Sequence, residues 1–425
     1  MKIVIVGAGS PYSPEIVKEL ALRRDRLQVR EIALHDIDAR RLSILGDFLA
    51  RYARSLDMNH LRFSAFTDWN QALPGADYVI TQYRVGGNKA RVLDERIPMS
   101  HGFIGQETTG PGGMMKALRT IPVALALAKA MEIHCPRAML INYTNPAGMV
   151  AEALAKYASI RSVGLCAGGI RPAQAAAKIT DCAEGAVRYD YFGLNHMSFA
   201  YHITVGGQPL DDHTLQKVLE DRHDEATPQW IRACGLFPSS YLQYYFRTGY
   251  MFEKMRTAPE TRGERAQALE KVILDAYADP TRDQPPPELQ LRGGGGYSQV
   301  ALGLLQAIEH NEDKWMICNV PNRGAISCLP ADAVIEAGCM VNAAGIVPLP
   351  QPDFPKQVWG LVCAVKNYEQ LAVEAAVTGH RDTALAALAA HPLVRDADRA
   401  VPLLEDLLEA NRAYLPQFFG GEDCI

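Results

Sequence analysis

Short apolar runs and segments with helical periodicity alternate through the first half of the chain. The apolar runs predict strands, because a strand that is covered on both faces shows little alternation of polar and apolar residues. These strands are predicted at 2–7, 30–36, 62–66, 76–82, 138–143 and 162–166. The helices between them are predicted at 12–23, 38–56, 114–132 and 146–157. This order predicts an α/β fold, a doubly wound parallel sheet of the Rossmann type.

The second half of the chain follows a different pattern. A turn-rich segment and four consecutive glycines interrupt it, at 279–288 and 293–296. Helices are predicted at 211–222, 259–277, 297–309, 355–378 and 382–390, and strands at 194–205, 316–320 and 333–340. We therefore predict two domains, a nucleotide-binding domain at 1–190 and an α+β domain at 191–425 that packs on it.

The composition is that of an ordinary globular enzyme. The 425 residues carry a formal net charge of −5, with 48% hydrophobic and 21% charged residues. We expect no nucleic-acid partner, since no basic patch is evident, and no membrane span or signal peptide. Nine scattered cysteines without a C-x-x-C pair predict reduced thiols and a cytoplasmic protein.

The N-terminal segment carries a dinucleotide-binding pattern. An apolar run leads into Gly7-Ala-Gly9-Ser10, and Asp36 ends the next predicted strand. The first glycine permits the tight turn, and the second lets backbone N–H groups approach a pyrophosphate at a helix N-terminus. The acid would bind a ribose hydroxyl, which favours NAD over NADP. Tyr12 occupies the third glycine position, and the alternative interpretation is an ordinary strand-to-helix turn.

Polar and glycine-rich segments follow several predicted strands at their carboxyl ends, where ligands bind in open α/β sheets. They contain Arg84, Arg91, Asn142, Asn145 and Cys166. The loop 105–113 carries Glu107 among four glycines and a proline, while His196 and Tyr297 lie in glycine-containing segments of the second half. These residue types suit metal binding, acid–base chemistry and the binding of an anion.

Each of these residues also has a structural interpretation. Cys166 alone fits a buried thiol, His196 a hydrogen-bonded core histidine, and Tyr297 a packed aromatic side chain. Arg91 and Glu107 together fit a surface ion pair that contributes little. The glycine run at 293–296 fits a simple hinge.

Taken together, the motifs resemble glycoside hydrolase family 4, the NAD- and divalent-metal-dependent glycosidases. The matching stretches are 7–10, 84–87, 105–113, 142–147, 164–166, 193–196, 322–326 and 329–334. The stretch Pro238-Ser-Ser-Tyr-Leu-Gln-Tyr-Tyr245 is most similar to the 6-phospho-β-glucosidase branch. The resemblance extends in order from residue 1 to about residue 350.

The resemblance implies hydrolysis of an anionic sugar glycoside, most simply a 6-phospho-β-glucoside, by a redox cycle outside the usual two-carboxylate scheme. NAD takes a hydride from C3, a tyrosinate removes the C2 proton, the aglycone leaves C1, water adds, and the hydride returns. A divalent metal, Mn²⁺ by resemblance, binds the C2 and C3 oxygens. The domain at 191–425 would then hold substrate and metal and form a homodimer or homotetramer.

The resemblance also implies roles for single residues. Cys166 and His196 match the metal ligands, Tyr297 the base at C2, and Glu107 the acid that orients the base. Arg91 and Asn145 match the pair that binds the substrate, with Arg91 on the sugar's anionic group. The residues expected to bind NAD are Gly7, Gly9, Ser10, Asp36, Arg84 and Asn142.

One position departs from the family pattern. After the ligand cysteine the β-branch usually has Asn and the α-branch Asp, whereas this chain has Ala167, which cannot donate a proton or a hydrogen bond. The same mechanism on a uronide, a sulfosugar or an α-linked phosphoglycoside therefore stays open. Two other classes also stay open: an NAD-dependent 2-hydroxy-acid dehydrogenase, whose lactate/malate dehydrogenase fold the first half resembles, and a non-catalytic nucleotide sensor.

Overall fold

The computed structural model describes residues 1–221, 228–292, 295–351 and 354–420. Its strands are β1 Lys2–Val6, β2 Glu31–His35, β3 Arg62–Phe66, β4 Tyr78–Thr81, β5 Met139–Asn142, β6 Arg161–Gly164, β7 Val187–Leu194, β8 Met197–Val205, β9 Gln208–Pro209, β10 Phe237–Pro238, β11 Lys314–Pro321, β12 Val334–Asn342 and β13 Gly345–Pro348.

The helices lie mostly between these strands and in the last quarter of the chain. They are α1 Ser13–Leu22, α2 Ala39–Ser55, α3 Trp69–Ala72, α4 Gly87–Ser100, α5 Gly110–His134, α6 Ala147–Tyr157, α7 Arg171–Thr180, α8 Asp212–Glu220, α9 Pro228–Cys234, α10 Gln243–Phe246, α11 Thr248–Arg256, α12 Arg262–Ala278, α13 Glu288–Leu291, α14 Tyr297–Glu309, α15 Lys356–Thr378, α16 Arg381–Ala390 and α17 Ala397–Ala410. None of the helices in the described part of the chain is long and apolar enough to cross a membrane.

The main sheet confirms the predicted doubly wound architecture. Among the described residues it has nine strands, in the order β13-β12-β11-β6-β5-β4-β1-β2-β3. The six strands from β6 to β3 are parallel, as the first half of the sequence predicts. Strands β1, β4 and β5 are almost wholly buried, since helices cover both faces of the sheet. Their carboxyl ends form one edge, where α/β sheets bind ligands.

The last three strands of this sheet come from the second half of the chain. β11 pairs antiparallel with β6 through Asn319 and Gly164, and β12 and β13 continue outward. The proposed division at residue 190 falls within β7 and stays a prediction. The two halves thus share one sheet, so residues of β11 and β12 lie beside the end of β6.

A second sheet of β7, β8, β9 and β10 packs beside the first. The strand predicted at 194–205 occurs as β8, which begins at Met197, whereas β7 was not predicted. The two strands form a hairpin whose turn is Asn195-His196. His196 adopts a left-handed conformation with φ of 67°. This hairpin turns His196 back toward the end of β6.

The predicted helices occur at their expected places, with one informative difference. Helix α5 begins at Gly110 and not at 114, so the last glycines of the 105–113 loop are helical. A Cβ at Gly112 would lie 2.4 Å from the Asp94 carbonyl oxygen, and one at Gly113 would lie 2.6 Å from the Thr108 carbonyl carbon. These glycines permit close packing of backbone segments, which periodicity does not reveal.

Four sequence features fall wholly or partly outside the described residues: Gly293, Gly294, Arg222 at the end of the helix predicted at 211–222, and Cys424. The eight described cysteines are all free thiols, as the sequence predicts.

Candidate active site

The first turn of the main sheet has the geometry that a dinucleotide requires. Gly7 has φ of 89°, and a Cβ there would lie 2.6 Å from the Tyr83 backbone nitrogen. The Gly9 N–H donates to Asp36 Oδ2 at 2.8 Å, and a Cβ on Gly9 would lie 2.7 Å from that oxygen. Glycine is therefore required at both positions, by conformation at the first and by proximity to the acid at the second.

Ser10 completes the turn before helix α1 begins at Ser13. Its N–H donates to the Gly7 carbonyl at 3.1 Å. Tyr12, at the third glycine position, is the N-cap of α1, and the Arg292 guanidinium lies 4.9 Å from its ring centroid. The turn thus leads directly into a helix N-terminus, which suits a pyrophosphate.

Glu107 lies at the centre of a charged cluster on the same edge of the sheet. Its carboxylate pairs with Arg84, with Arg91 at 3.1 Å and with Lys116 at 2.8 Å. Burial raises the pKa of Glu107, but the three cations outweigh burial and hold that pKa well below its usual value. Glu107 is therefore an anion that organises cations, not a proton donor.

Arg91 is held from two sides, because its Nε also donates to Glu95 at 2.8 Å. Its side chain is 12% exposed. The alternative interpretation of a surface ion pair is thus excluded, because Arg91 and Glu107 belong to a largely buried network of three basic side chains and two carboxylates. Lys116, a member of this network, was not identified from the sequence, since it lies in an apolar helical run.

The predicted metal ligands lie together. Cys166 Sγ is 3.9 Å from His196 Nε2, which allows one cation to bind both atoms at about 2.1–2.3 Å. Burial and the nearby Glu336 carboxylate raise the pKa of the Cys166 thiol to about 12. Burial and Lys116 lower the pKa of His196 to about 3, so its imidazole is neutral and able to bind a metal.

The donor set fits a catalytic metal site with open positions. Within the described ranges, no group of three or more His, Cys, Asp or Glu side chains gathers around a common point. Two protein donors leave room for substrate oxygens and water. His196 Nδ1 is buried with no hydrogen-bond partner in the described part of the chain.

Two tyrosines border the ligand pair. Tyr297, the predicted base, is the first residue of α14, and its ring meets Tyr143 edge-on at 5.3 Å. Tyr241 stacks on the His196 ring, with centroids 3.6 Å apart and planes 10° apart. Burial raises the pKa of both phenols, and the nearby Cys166 raises it further. The segment 238–245 resembles the family, but Tyr241 was not predicted as a site residue from the sequence.

The two predicted asparagines differ in availability. Asn142 is buried and fully engaged: its Oδ1 accepts from Thr81 Oγ1 at 2.8 Å and from the Thr144 N–H, and its Nδ2 donates to the Thr144 carbonyl. Asn145 is half-buried, and its Oδ1 accepts from the Ala147 N–H at 3.4 Å. Asn142 thus fixes the end of β5, while Asn145 faces the site more freely.

The sheet edge therefore gathers a dinucleotide turn, a Cys–His pair, two buried tyrosines and a cationic cluster. The model of the family 4 glycosyl hydrolases matches residues 2–181, and the model of that family's C-terminal domain matches residues 191–394. A Bacillus subtilis relative named "Probable 6-phospho-beta-glucosidase" is 39% identical, over 99% of this chain and 98% of the relative.

Solved structures give the same result. The Thermotoga maritima 6-phospho-beta glucosidase, solved with manganese, NAD⁺ and glucose-6-phosphate, superposes with a TM-score of 0.90 at 34% identity and covers 97% of this chain and 99% of its own. A Plasmodium falciparum malate dehydrogenase, 13% identical with a TM-score of 0.56 over 89% of this chain and 98% of its own, shares the fold alone. The chain belongs to family 4 of the glycosyl hydrolases and is a glycosidase.

Proposed function

We propose that this glycosidase hydrolyses 6-phospho-β-glucosides with NAD⁺ and a divalent cation, Mn²⁺ foremost. The observation that carries the proposal is the Cys166–His196 pair, which lies beside a buried tyrosine and a cationic cluster on the dinucleotide edge. The names of the Bacillus subtilis relative and of the Thermotoga maritima structure support the substrate class and both cofactors.

Gly7, Gly9, Ser10 and Asp36 would hold NAD, with the pyrophosphate at the start of α1 and a ribose at Asp36. When bound, NAD⁺ supplies a reversible hydride acceptor for the sugar C3. Asp36 Oδ2 already accepts from the Gly9 N–H, so the acid lies where the turn and the ribose meet. Arg84 would line the cofactor side of the cluster, and Asn142 would support that side by fixing the end of β5.

Cys166 and His196 would hold the divalent cation, which when bound polarises the C2 and C3 oxygens as a Lewis acid. The neutral imidazole of His196 is ready to bind. The Cys166 thiol must lose its proton on binding, since only the thiolate is a strong ligand.

A tyrosine would remove the proton from C2. The resemblance assigns this role to Tyr297, but Tyr241 is the stronger candidate, because its ring stacks directly on the proposed ligand His196. Either phenol has a raised pKa and acts as a base only when a cation beside it stabilises the phenolate. A divalent cation on Cys166 and His196 would supply that charge.

Arg91 and Asn145 would bind the substrate. Carboxylates engage Arg91 Nε and Nη1, so a phosphate would bind through the remaining Nη2. Arg84, Arg91 and Lys116 surround Glu107 and present basic groups to this anion. Burial and Arg84 lower the pKa of Lys116 to about 7, and a bound phosphate would favour its protonated form.

Ala167 would lie at the leaving group, and a Cβ on Gly296 would be 4.0 Å from its methyl carbon. No proton donor occupies position 167, so we expect a preference for aglycones that leave without protonation. A cytoplasmic location and a homodimer or homotetramer also remain part of the proposal.

The test is hydrolysis of 4-nitrophenyl β-glucoside 6-phosphate with NAD⁺ and Mn²⁺, each omitted in turn under reducing conditions. Turnover that needs both, without accumulation of NADH, supports the proposal. The α-linked phosphoglycoside, the uronide and the sulfosugar are the matched alternatives. Faster turnover of any of them overturns the substrate assignment, and stoichiometric NADH release would indicate a net oxidoreductase instead.

A further inference from the structure

Glu336 is a buried carboxylate that the mechanism above does not use. It lies in β12, opposite Asn319 of β11, and is 1% exposed. Three neutral donors hold it: Asn195 Nδ2 at 3.0 Å, Asn319 Nδ2 at 3.2 Å and the Tyr191 hydroxyl at 3.1 Å. Burial raises the pKa of Glu336, and these donors oppose that shift by stabilising the carboxylate, at the place where the two sheets meet.

Other buried carboxylates of this chain are neutralised by cations. Glu152 and Glu369 both pair with Lys366, at 2.5 and 2.6 Å. Asp94 pairs with Arg119 at 2.7 Å. Glu336 forms no ion pair with an Arg or Lys in the part of the chain that the structure describes, although a buried charge without a counter-charge is costly. A cation bound near Glu336 would supply the counter-charge for this carboxylate.

Asn195 and Asn319 connect Glu336 to the segments that carry the proposed metal ligands. Asn195 Nδ2 donates to Glu336 Oε1 at 3.0 Å. Asn319 Nδ2 donates both to Glu336 Oε1 at 3.2 Å and to the Gly164 carbonyl, two residues before Cys166, at 3.4 Å. An amide nitrogen has two hydrogens, so one carboxamide can serve both partners. Asn195 also directly precedes His196 in the β7–β8 turn, so its anchoring fixes the backbone that presents the imidazole.

We propose that Glu336 is a positioning residue for the divalent cation and supplies a second negative charge behind the site. It acts through Asn195 on the turn that presents His196, and through Asn319 on the end of β6 that leads to Cys166. This inference rests on the proposed function. A Cys166 thiolate, a neutral imidazole and the Glu336 carboxylate together carry a charge of −2, which a divalent cation balances. Outer partners of this kind orient metal ligands and tune their affinity.

The experiment measures Co²⁺ binding by the full-length protein, without substrate. Absorption reports a thiolate–cobalt charge-transfer band, and competition with a chromophoric chelator gives the affinity. We expect Glu336→Gln to bind Co²⁺ about 10- to 100-fold more weakly than the unmodified chain. Glu152→Gln is the matched control, since Glu152 is also buried and accepts from the Val334 N–H of the same strand, but is paired with Lys366. Its Co²⁺ affinity should not change.

A second variant guards against a folding defect in Glu336→Gln. Asn195→Ala removes the connection but leaves the carboxylate, so we expect a shifted charge-transfer band with a smaller loss of affinity. Thermal unfolding and circular dichroism establish that each variant is folded. If Glu336→Gln does not fold, an unchanged band and affinity in Asn195→Ala overturn the proposal.

The outcomes separate this inference from the proposed function. If the unmodified chain binds Co²⁺ with a thiolate band and both variants match it, the role of Glu336 is wrong and the metal site stands. If the unmodified chain shows no thiolate band at saturating Co²⁺, the Cys166–His196 site fails, and this inference fails with it.

Discussion

The dinucleotide turn and the Cys166–His196 site share one sheet edge but are built in different ways. The turn is made by residues 7–36, in one strand–helix–strand unit. The Cys166–His196 site draws on the end of β6, the β7–β8 turn, and the segment around Tyr241, and it borders β12 of the second half. The first is a local structure with its own motif, whereas the second exists only after two sheets have packed together.

This difference governs what substitutions do. A change in the turn acts through steric fit to one ligand, because Gly7 and Gly9 contact the end of β2 and Asp36 closely within one strand–helix–strand unit. A change in the Cys166–His196 site acts through charge and donor geometry among residues up to 170 positions apart, such as Cys166 and Glu336. The following predictions test that distinction, from the largest expected effect to the smallest.

Cys166→Ala should abolish most turnover, since Lewis-acid stabilisation contributes several kcal/mol and each 1.36 kcal/mol is tenfold in rate. We expect a loss of about 10³-fold or more, measured on 4-nitrophenyl β-glucoside 6-phosphate, with NAD⁺ affinity nearly unchanged. Cys182→Ala is the control, because that thiol lies at the far end of α7, next to Thr180. A Cys166→Ala variant that keeps turnover and Mn²⁺ dependence would exclude this thiol as a ligand.

Tyr241→Phe and Tyr297→Phe separate the two candidate bases. Loss of a general base costs about 10²- to 10⁴-fold. We expect Tyr241→Phe to show this loss and to stop exchange of the C2 hydrogen with deuterated water, while hydride transfer at C3 persists. Tyr297→Phe should lose less and keep the exchange. The reverse pattern would return the role to Tyr297.

Gly9→Ala tests the local region. Its Cβ would lie 2.7 Å from Asp36 Oδ2 and 3.1 Å from Arg41 Cβ, so the turn or the acid must move. A strain of about 1–3 kcal/mol weakens NAD⁺ binding by about 10- to 100-fold. Fluorescence titration measures the dissociation constant. Gly46→Ala in α2 is the matched control, since its nearest neighbour would be Leu34 Cδ1 at 3.8 Å. Equal NAD⁺ affinities in the two variants would contradict the steric argument.

His391 gives the smallest effect, on stability. It is fully buried and contacts the Tyr245 hydroxyl, which in turn bonds Thr109 of the loop next to Glu107. Burial lowers the pKa of His391 from 6.5 to about 3. Between these values the unfolded chain binds a proton that the folded chain does not, so stability falls as the pH drops below about 6.5.

From pH 7 to pH 5 this group should cost about 2 kcal/mol of the free energy of unfolding. Urea unfolding of the unmodified chain and of His391→Gln, at both pH values, measures the difference. The variant should be less sensitive to acid by that amount. Equal acid sensitivity would show that His391 does not titrate in this range.

Much of the fold could be predicted because burial leaves a direct signature in sequence. The apolar runs located β1, β2, β4 and β5, since strands covered on both faces are apolar throughout. The β7–β8 hairpin was missed because its turn carries no Gly or Pro at the central positions, Asn195 and His196. The joining of β11 to β6 was missed because cross-strand pairing between distant segments has no local signal.

Glu336 is a site residue that the sequence could have indicated, although it was not predicted. It is the one charged residue in the predicted strand 333–340, and a charge in a buried strand indicates a partner. Tyr241 and Lys116 gave weaker signals, since an aromatic residue and a lysine fit many surroundings.

The sequence by itself determined the dinucleotide turn, the parallel order of the first six strands and the identity of Cys166 and His196 as candidate ligands, because each depends on local periodicity or a contiguous motif. Only the tertiary structure decided which tyrosine stacks on His196, that Glu107 lies among three basic side chains, and that Asn195 ties Glu336 to the turn that carries His196. The physical reason is that electrostatic and hydrogen-bond partners act over a few ångströms in space, and distance along the chain does not report that proximity.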